Sequence, residues 1–465
     1  MGSEHCVSRF AEAQSAPPPG AWAILRALLG HALPVLVAQL SSIGMMVVDT
    51  ALLGQVSAAD LAAVAIGGGV HVSIVFGLVG ILQAVAPVVA HLHGAQRDRE
   101  VAGVLQQGFW LALLLCIPGC LLLLWPDWLI RGAGMDELVE AKVRAYLALL
   151  AWGLPAALFY RTFYAFCNAL GASRVLMLIG VGSLGVHTLL AWGLAVSGWV
   201  PGVSGVEGCA LSNIVIAWCA CMLAGVYLAR STLAARFHPF AQWQGPRWRT
   251  WRELLRLGLP MGMSNLIEIT AFTLVALFVA SLGASVVAGH RIVANLSALT
   301  YMLPLSLGIA AMAAIGRAVG GRNLALARLT VRVSLYFSAG AALIIGGVLW
   351  WWTQALVQAY TNDPQVAEIA AALVIYIAIY QFFDALQTLA AHALRAYRVT
   401  FLPMLAQIVC FWGVGLLGGA WLCYWSPAPM GVAGFWLASV ISLVILAAML
   451  LPMLWKVMQA TESTP

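Results

Sequence analysis

Long apolar runs follow one another almost without interruption from residue 25 to residue 456, and they leave this chain one kind of fold. Each run reaches or exceeds the ~20 residues that a helix needs to cross the hydrocarbon core of a bilayer. A transmembrane barrel would show ten-residue segments of alternating polarity, whereas these runs are continuous. Of the 465 residues, 63% are apolar and 9% charged, against roughly 25% charged in an ordinary soluble domain. The chain reads as an all-α integral membrane protein.

Twelve transmembrane helices are predicted, near 25–53, 60–92, 101–124, 138–165, 171–197, 205–229, 253–281, 285–316, 326–352, 366–395, 400–424 and 431–456. Residues 1–24, ending SAPPPG, read as a disordered cytoplasmic tail without a secretory-signal pattern, and 458–465 as a second tail. Basic residues gather at one set of span ends: Arg97, Arg99, Arg161, Arg174, the 230–256 connection, Arg317, Arg322, Arg328, Arg332, Arg395, Arg398 and Lys456. The other set holds Arg131, Lys142 and Arg144, diluted by Asp127, Asp136, Glu137 and Glu140. The positive-inside rule puts the first set and both termini in the cytoplasm, an arrangement that closes only with an even helix count. The net charge of +6 is therefore a topology signal and not a nucleic-acid footprint. The nine cysteines have no paired spacing and read as small packing residues.

A shift of 226 residues lays Leu33-Pro34 on Leu259-Pro260, Ala62 on Ala288 and Gly94 on Gly320, and Tyr146 falls opposite Tyr376 at a slightly larger offset. The shift spans six helices, so the halves keep one orientation: two parallel six-helix repeats around a central cleft. The N-lobe is assigned to 25–229, a cytoplasmic linker to 230–252 and the C-lobe to 253–457.

An ionised group at the bilayer centre costs at least about 2.5–3.5 kcal/mol, so each one needs a reason. Asp49, Glu268 and Asp384 fall well inside spans, while Asp60, Asp98 and Glu253 read as helix-end caps or surface charges. Asp49 is either functional or an end-of-helix acid reaching for the interface. Glu268 and Asp384, the latter beside Tyr380 and Gln381, belong to one half. If folding joins them, they either take a cation or a shared proton, or form inert bridges with Arg291 or Arg395. His71, His187, His290 and His392 read as interhelical hydrogen bonders, and GGG at 67–69 as a place of close helix approach. No HExxH or Walker-type Gly-Lys motif occurs, so an enzyme or an ATP-driven pump is disfavoured and an ion gradient is the expected energy source.

The runs PVLVAQLSSIGMMVVDTALLGQVSAADLAAVAI and GLVGILQAVAPVVAHLHGA resemble the opening of the MATE multidrug exporters, especially their bacterial NorM-like branch. GLPMGMSNLIEITAF, VVAGHRIVANLSALTYMLPLSLGIA and IYQFFDALQTLAAHALRAY continue the likeness, which covers roughly 25–455. The resemblance implies a monomeric, alternating-access antiporter of the bacterial inner membrane. It would export lipophilic organic cations in exchange for Na⁺ or H⁺, without an ATPase partner or a cofactor. By the same resemblance Asp49 is the N-lobe coupling-ion acid, and Pro34 the proline linked to bending of that helix. Glu268 and Asp384 form the C-lobe acidic pair, a possible Na⁺ site, with Tyr380 as their neighbour. The chain departs from the family where the fifth helix usually carries Asn-x-x-x-Asn, here His187 and Ala191, with Asn213 as a replacement amide. Arg291 stands where the family has Gln, either repelling a cation or pairing with Glu268. A lipid-linked flippase of the same superfamily is the alternative, and a membrane-embedded enzyme a remoter one.

Overall fold

The computed structural model describes residues 20–127, 136–240 and 243–463. Inside a bilayer no water is available to backbone polar groups, so each apolar run closes its own hydrogen bonds as a helix. Twelve helices are long and apolar enough to cross a membrane. In the N-lobe they are α1 (Ala21–Val56), α2 (Ala58–Gly94, bent at 83–84), α3 (Asp98–Leu124), α4 (Glu137–Leu170), α5 (Ser173–Val196) and α6 (Gly205–Arg230). In the C-lobe they are α7 (Trp248–Leu282), α8 (Ala284–Gly320), α9 (Leu324–Trp351), α10 (Pro364–Ala396), α11 (Phe401–Trp425) and α12 (Val432–Ser463). The last turns of α5 and much of α11 are wound as π-helix.

The predicted helix count and type hold, and the boundaries shift. The first helix begins at Ala21, inside the predicted tail; residues 1–19 and Arg131 lie outside the described residues. Helix α7 begins at Trp248, inside the predicted 230–252 linker, which also contains a short helix at Thr232–Phe237. Helix α12 runs through most of the predicted 458–465 tail. Polarity marks where hydrocarbon ends, while backbone hydrogen bonding carries a helix beyond it.

The repeat is visible in backbone geometry. Gln96 (φ 58°) and Arg322 (φ 57°) occupy the left-handed region after α2 and α8, and Gly171 (φ 78°) and Arg398 (φ 62°) after α4 and α10. Each is followed by the same wrapped-back bond: Arg97 N–H to Leu92 (2.9 Å), Asn323 to Ala318 (2.9 Å), Ala172 to Cys167 (2.8 Å) and Val399 to Leu394 (2.9 Å). These are matching helix C-caps at offsets of 226 and 227. The second offset sets Tyr146 against Leu373, about one helical turn from the predicted Tyr376.

The lobes meet in the half of the helices nearer the termini. Small residues allow it: a Cβ on Gly80 would collide with Gly262, and one on Gly258 with the Ile81 carbonyl. Two reciprocal crossings lie at the end itself. Gly94 lies under the Arg317 carbonyl and Gly320 under that of His91, and these are repeat-equivalent pairs. Two hydrogen bonds complete the clasp. His91 Nε2 bonds the Ala396 carbonyl at 2.6 Å, and Arg317 Nη1 donates to the Ala169 carbonyl at 2.7 Å. Each caps the C-terminal end of a helix in the opposite lobe. The 67–69 run allows close helix approach, as the sequence suggests, at Gly67 only. Gly67 packs on Tyr146 within the N-lobe, and Gly68 and Gly69 have no neighbour within 4 Å.

Candidate functional site

The N-lobe acid is buried. Asp49, seven residues from the end of α1, is 5% exposed and meets α5 and α6 with both oxygens. His187 Nε2 lies 2.9 Å from Oδ1, and Asn213 Nδ2 donates to Oδ2 at 2.9 Å. Asn213 also donates to the Cys209 carbonyl at 3.0 Å, so the amide is fixed from two directions. The structure thus joins Asp49, His187 and Asn213, and the snorkelling alternative for Asp49 fails because its neighbours enclose it. Pro34 is buried in the same helix, 15 residues toward the termini, or about 22 Å along the axis.

Proton positions follow from the bonding pattern. Ser212 donates its hydroxyl to the Cys209 carbonyl at 2.8 Å, so its oxygen accepts from His187 Nδ1 at 3.4 Å. With Nδ1 protonated, a favourable Nε2–Oδ1 contact holds one further proton, on the ring or on the carboxyl. The cluster presents hydrogen-bond donors to both oxygens of Asp49 and so occupies lone pairs that a cation would otherwise use.

One sequence reading is corrected next to this cluster. Asp60 caps the first turn of α2 together with Ser57, as one expected reading had it, but it is 3% exposed and not a surface charge. It accepts from Lys142 Nζ at 2.7 Å and the Val206 N–H at 3.0 Å, and bonds Ser57. This carboxylate ties α2 and α4 to the first turn of α6, whose later turns carry Cys209, Ser212 and Asn213. A lysine 82 positions away decided the matter, and no local pattern signals it. Lys142→Met leaves a buried charge without its partner and is expected to cost about 3 kcal/mol, the low end for such a loss because the lysine is partly solvated. Thermal unfolding in detergent measures it, and an unshifted melting curve would mean that Asp60 is neutral.

The C-lobe acids come from α7 and α10. Asp384 is 2% exposed and accepts from Gln387 Nε2 at 2.9 Å. Glu268, half-buried, lies within electrostatic reach of Asp384 and shares its surroundings with the Tyr301 hydroxyl and Arg395. Tyr380 is buried against both acids and stacks edge-on to Trp436 with ring centroids 6.2 Å apart. Gln381 is turned away: it exchanges hydrogen bonds with Thr300, at 2.9 and 3.1 Å, and holds α10 to α8. Arg291 is exposed on α8 and has no described ion pair, so it does not bridge Glu268; Arg395 is the cation nearby. Tyr301, Thr388 and Gln387 were not anticipated. Gln387 and Thr388 follow Asp384 by about one helical turn, which was the available signal. The Oε1 atom of Gln387 is buried and has no hydrogen-bond partner.

The MatE family model matches residues 34–192 and again 260–421, one match per lobe. A probable multidrug resistance protein NorM of Aromatoleum aromaticum is 48% identical over 443 residues, covering 95% of this chain and 96% of the relative. One of the same description from Neisseria meningitidis serogroup A is 32% identical over 91% and 92% of the two chains. Among solved structures, the eukaryotic MATE transporter AtDTX14 has a TM-score of 0.86 at 18% identity, over 96% of this chain and 99% of that one. A duplicated six-helix frame, an enclosed acid in each lobe and a family match in each half agree: the chain belongs to the MATE family of multi-pass membrane transporters and is not an enzyme.

Proposed function

We propose that this protein is a multidrug efflux antiporter of the bacterial inner membrane, with both termini cytoplasmic, that exports lipophilic organic cations in exchange for Na⁺ or H⁺. The observation that carries the reading is the buried Asp384 with the half-buried Glu268 within its electrostatic reach, and the orphaned Gln387 oxygen beside Asp384. Two carboxylates in one desolvated space are stable only when a cation or proton is shared between them. The Tyr301 hydroxyl, Gln387 Oε1 and the carboxylates are the oxygens that would receive Na⁺; a proton needs Asp384 or Glu268 alone. Drug cation and coupling ion compete for the same negative charge, so loading one releases the other. Alternating access follows if the two states of the cleft differ in affinity for each. The relatives described as probable multidrug resistance proteins support drug efflux as the activity.

Reconstituted into liposomes, the protein is expected to move ethidium when either a sodium gradient or a pH gradient is imposed alone, and the effective gradient identifies the ion. Movement that neither gradient drives would overturn the antiport reading.

A further inference from the structure

A crevice of about 890 Å³ opens between the lobes at the end carrying the termini, away from both acidic clusters. Among the described residues its polar lining includes Arg174, Arg317, His31, Tyr227, Asn323 and Thr330, and no acidic residue. Arg174 is exposed; Arg317 is half-buried and commits one nitrogen to the Ala169 carbonyl, which leaves its other N–H groups for a further partner. Helices α1, α5 and α9 all begin at this crevice, so three positive helix ends add to the two guanidinium groups. Ile24, Leu28 and Leu326 supply an apolar wall.

We infer that the crevice binds an anionic phospholipid, with its phosphate diester on Arg174 and Arg317 and an acyl chain along the apolar wall. An organic cation is repelled here, because positive charge is gathered without a carboxylate. A free phosphate would use the basic groups and leave the apolar wall in water. The level fits as well: basic pockets between transmembrane helices at the cytoplasmic face are suited to acidic headgroups. N-lobe residues 23–31 and 171–175 face C-lobe residues 310–330 across the crevice, so a lipid held there bridges the lobes. It would favour the state in which they are clasped at this end.

The test is native mass spectrometry of the purified full-length protein, offered phosphatidylglycerol, phosphatidylcholine or inorganic phosphate. One tightly retained phosphatidylglycerol is expected. The double variant Arg174→Gln/Arg317→Gln should bind it roughly 30-fold more weakly. Ala27→Trp fills the crevice from an exposed lining position, keeps both arginines and should also expel the lipid, so the proposal stays testable if the double variant misfolds. Equal retention of phosphatidylcholine, displacement by inorganic phosphate, or unchanged binding in Ala27→Trp would each overturn the assignment. None of these outcomes depends on which ion drives transport.

Discussion

Asp384→Asn is expected to reduce resistance to ethidium and fluoroquinolones to the level of cells lacking the transporter, with the protein still expressed. The amide keeps the shape of the carboxylate but cannot change charge, so the ion and the drug no longer compete. Losing the coupling term corresponds to a deficit on the order of 5–150-fold in drug transport. Asp384 is the more informative target of the pair because it is more deeply buried than Glu268 and has Gln387 as its described donor. Growth inhibition assays paired with immunoblots measure it. Undiminished export by a well-expressed variant would remove the C-lobe pair from the mechanism.

Gly320→Leu should have the next largest effect, and by a different route. A side chain at this position strikes the His91 carbonyl, so the lobes must separate at the clasp before it can be accommodated. Overpacking of this kind costs about 1–3 kcal/mol, enough to shift a two-state balance roughly 5–150-fold. Export should fall, and amide hydrogen exchange of residues 88–94 and 316–322 should quicken. Gly94→Leu, its repeat partner against Arg317, should behave alike. Gly68→Leu, in open space, should leave exchange and export unchanged. Equal effects at all three positions would mean that the crossing has no special role.

Much of this architecture was legible because a bilayer permits so few solutions. Run lengths gave twelve spans, and the 226-residue shift gave the lobes. The likeness of GMMVVDTALLG and QFFDALQ to one family marked Asp49 and Asp384. The same resemblance marked His187 as a departure from the family's fifth-helix amides and Asn213 as a replacement amide, and both meet Asp49. Arg291 was misread because its distance from a helix end says nothing about which way it points, and the side chain proves exposed. For Asp60 the capping role was legible and the burial was not. Its position looked peripheral, but Lys142 and the start of α6 close over it. Sequence periodicity places a residue on its own helix; what meets it is set by other helices, and for Tyr301 no local signal carried that information.

The clasp has one more implication. Residue 91 touches 320 and 396, while 317 touches 94 and 169, so each half offers its partner the surface that it receives. This is the rule of a twofold homodimer interface, preserved here inside a single polypeptide. Covalent fusion freed the two copies of each contact to diverge, and they have done so. One jaw is a histidine imidazole and the other an arginine guanidinium. A joint built from identical parts would present the same chemistry on both sides, whereas this one presents two different donors in equivalent places.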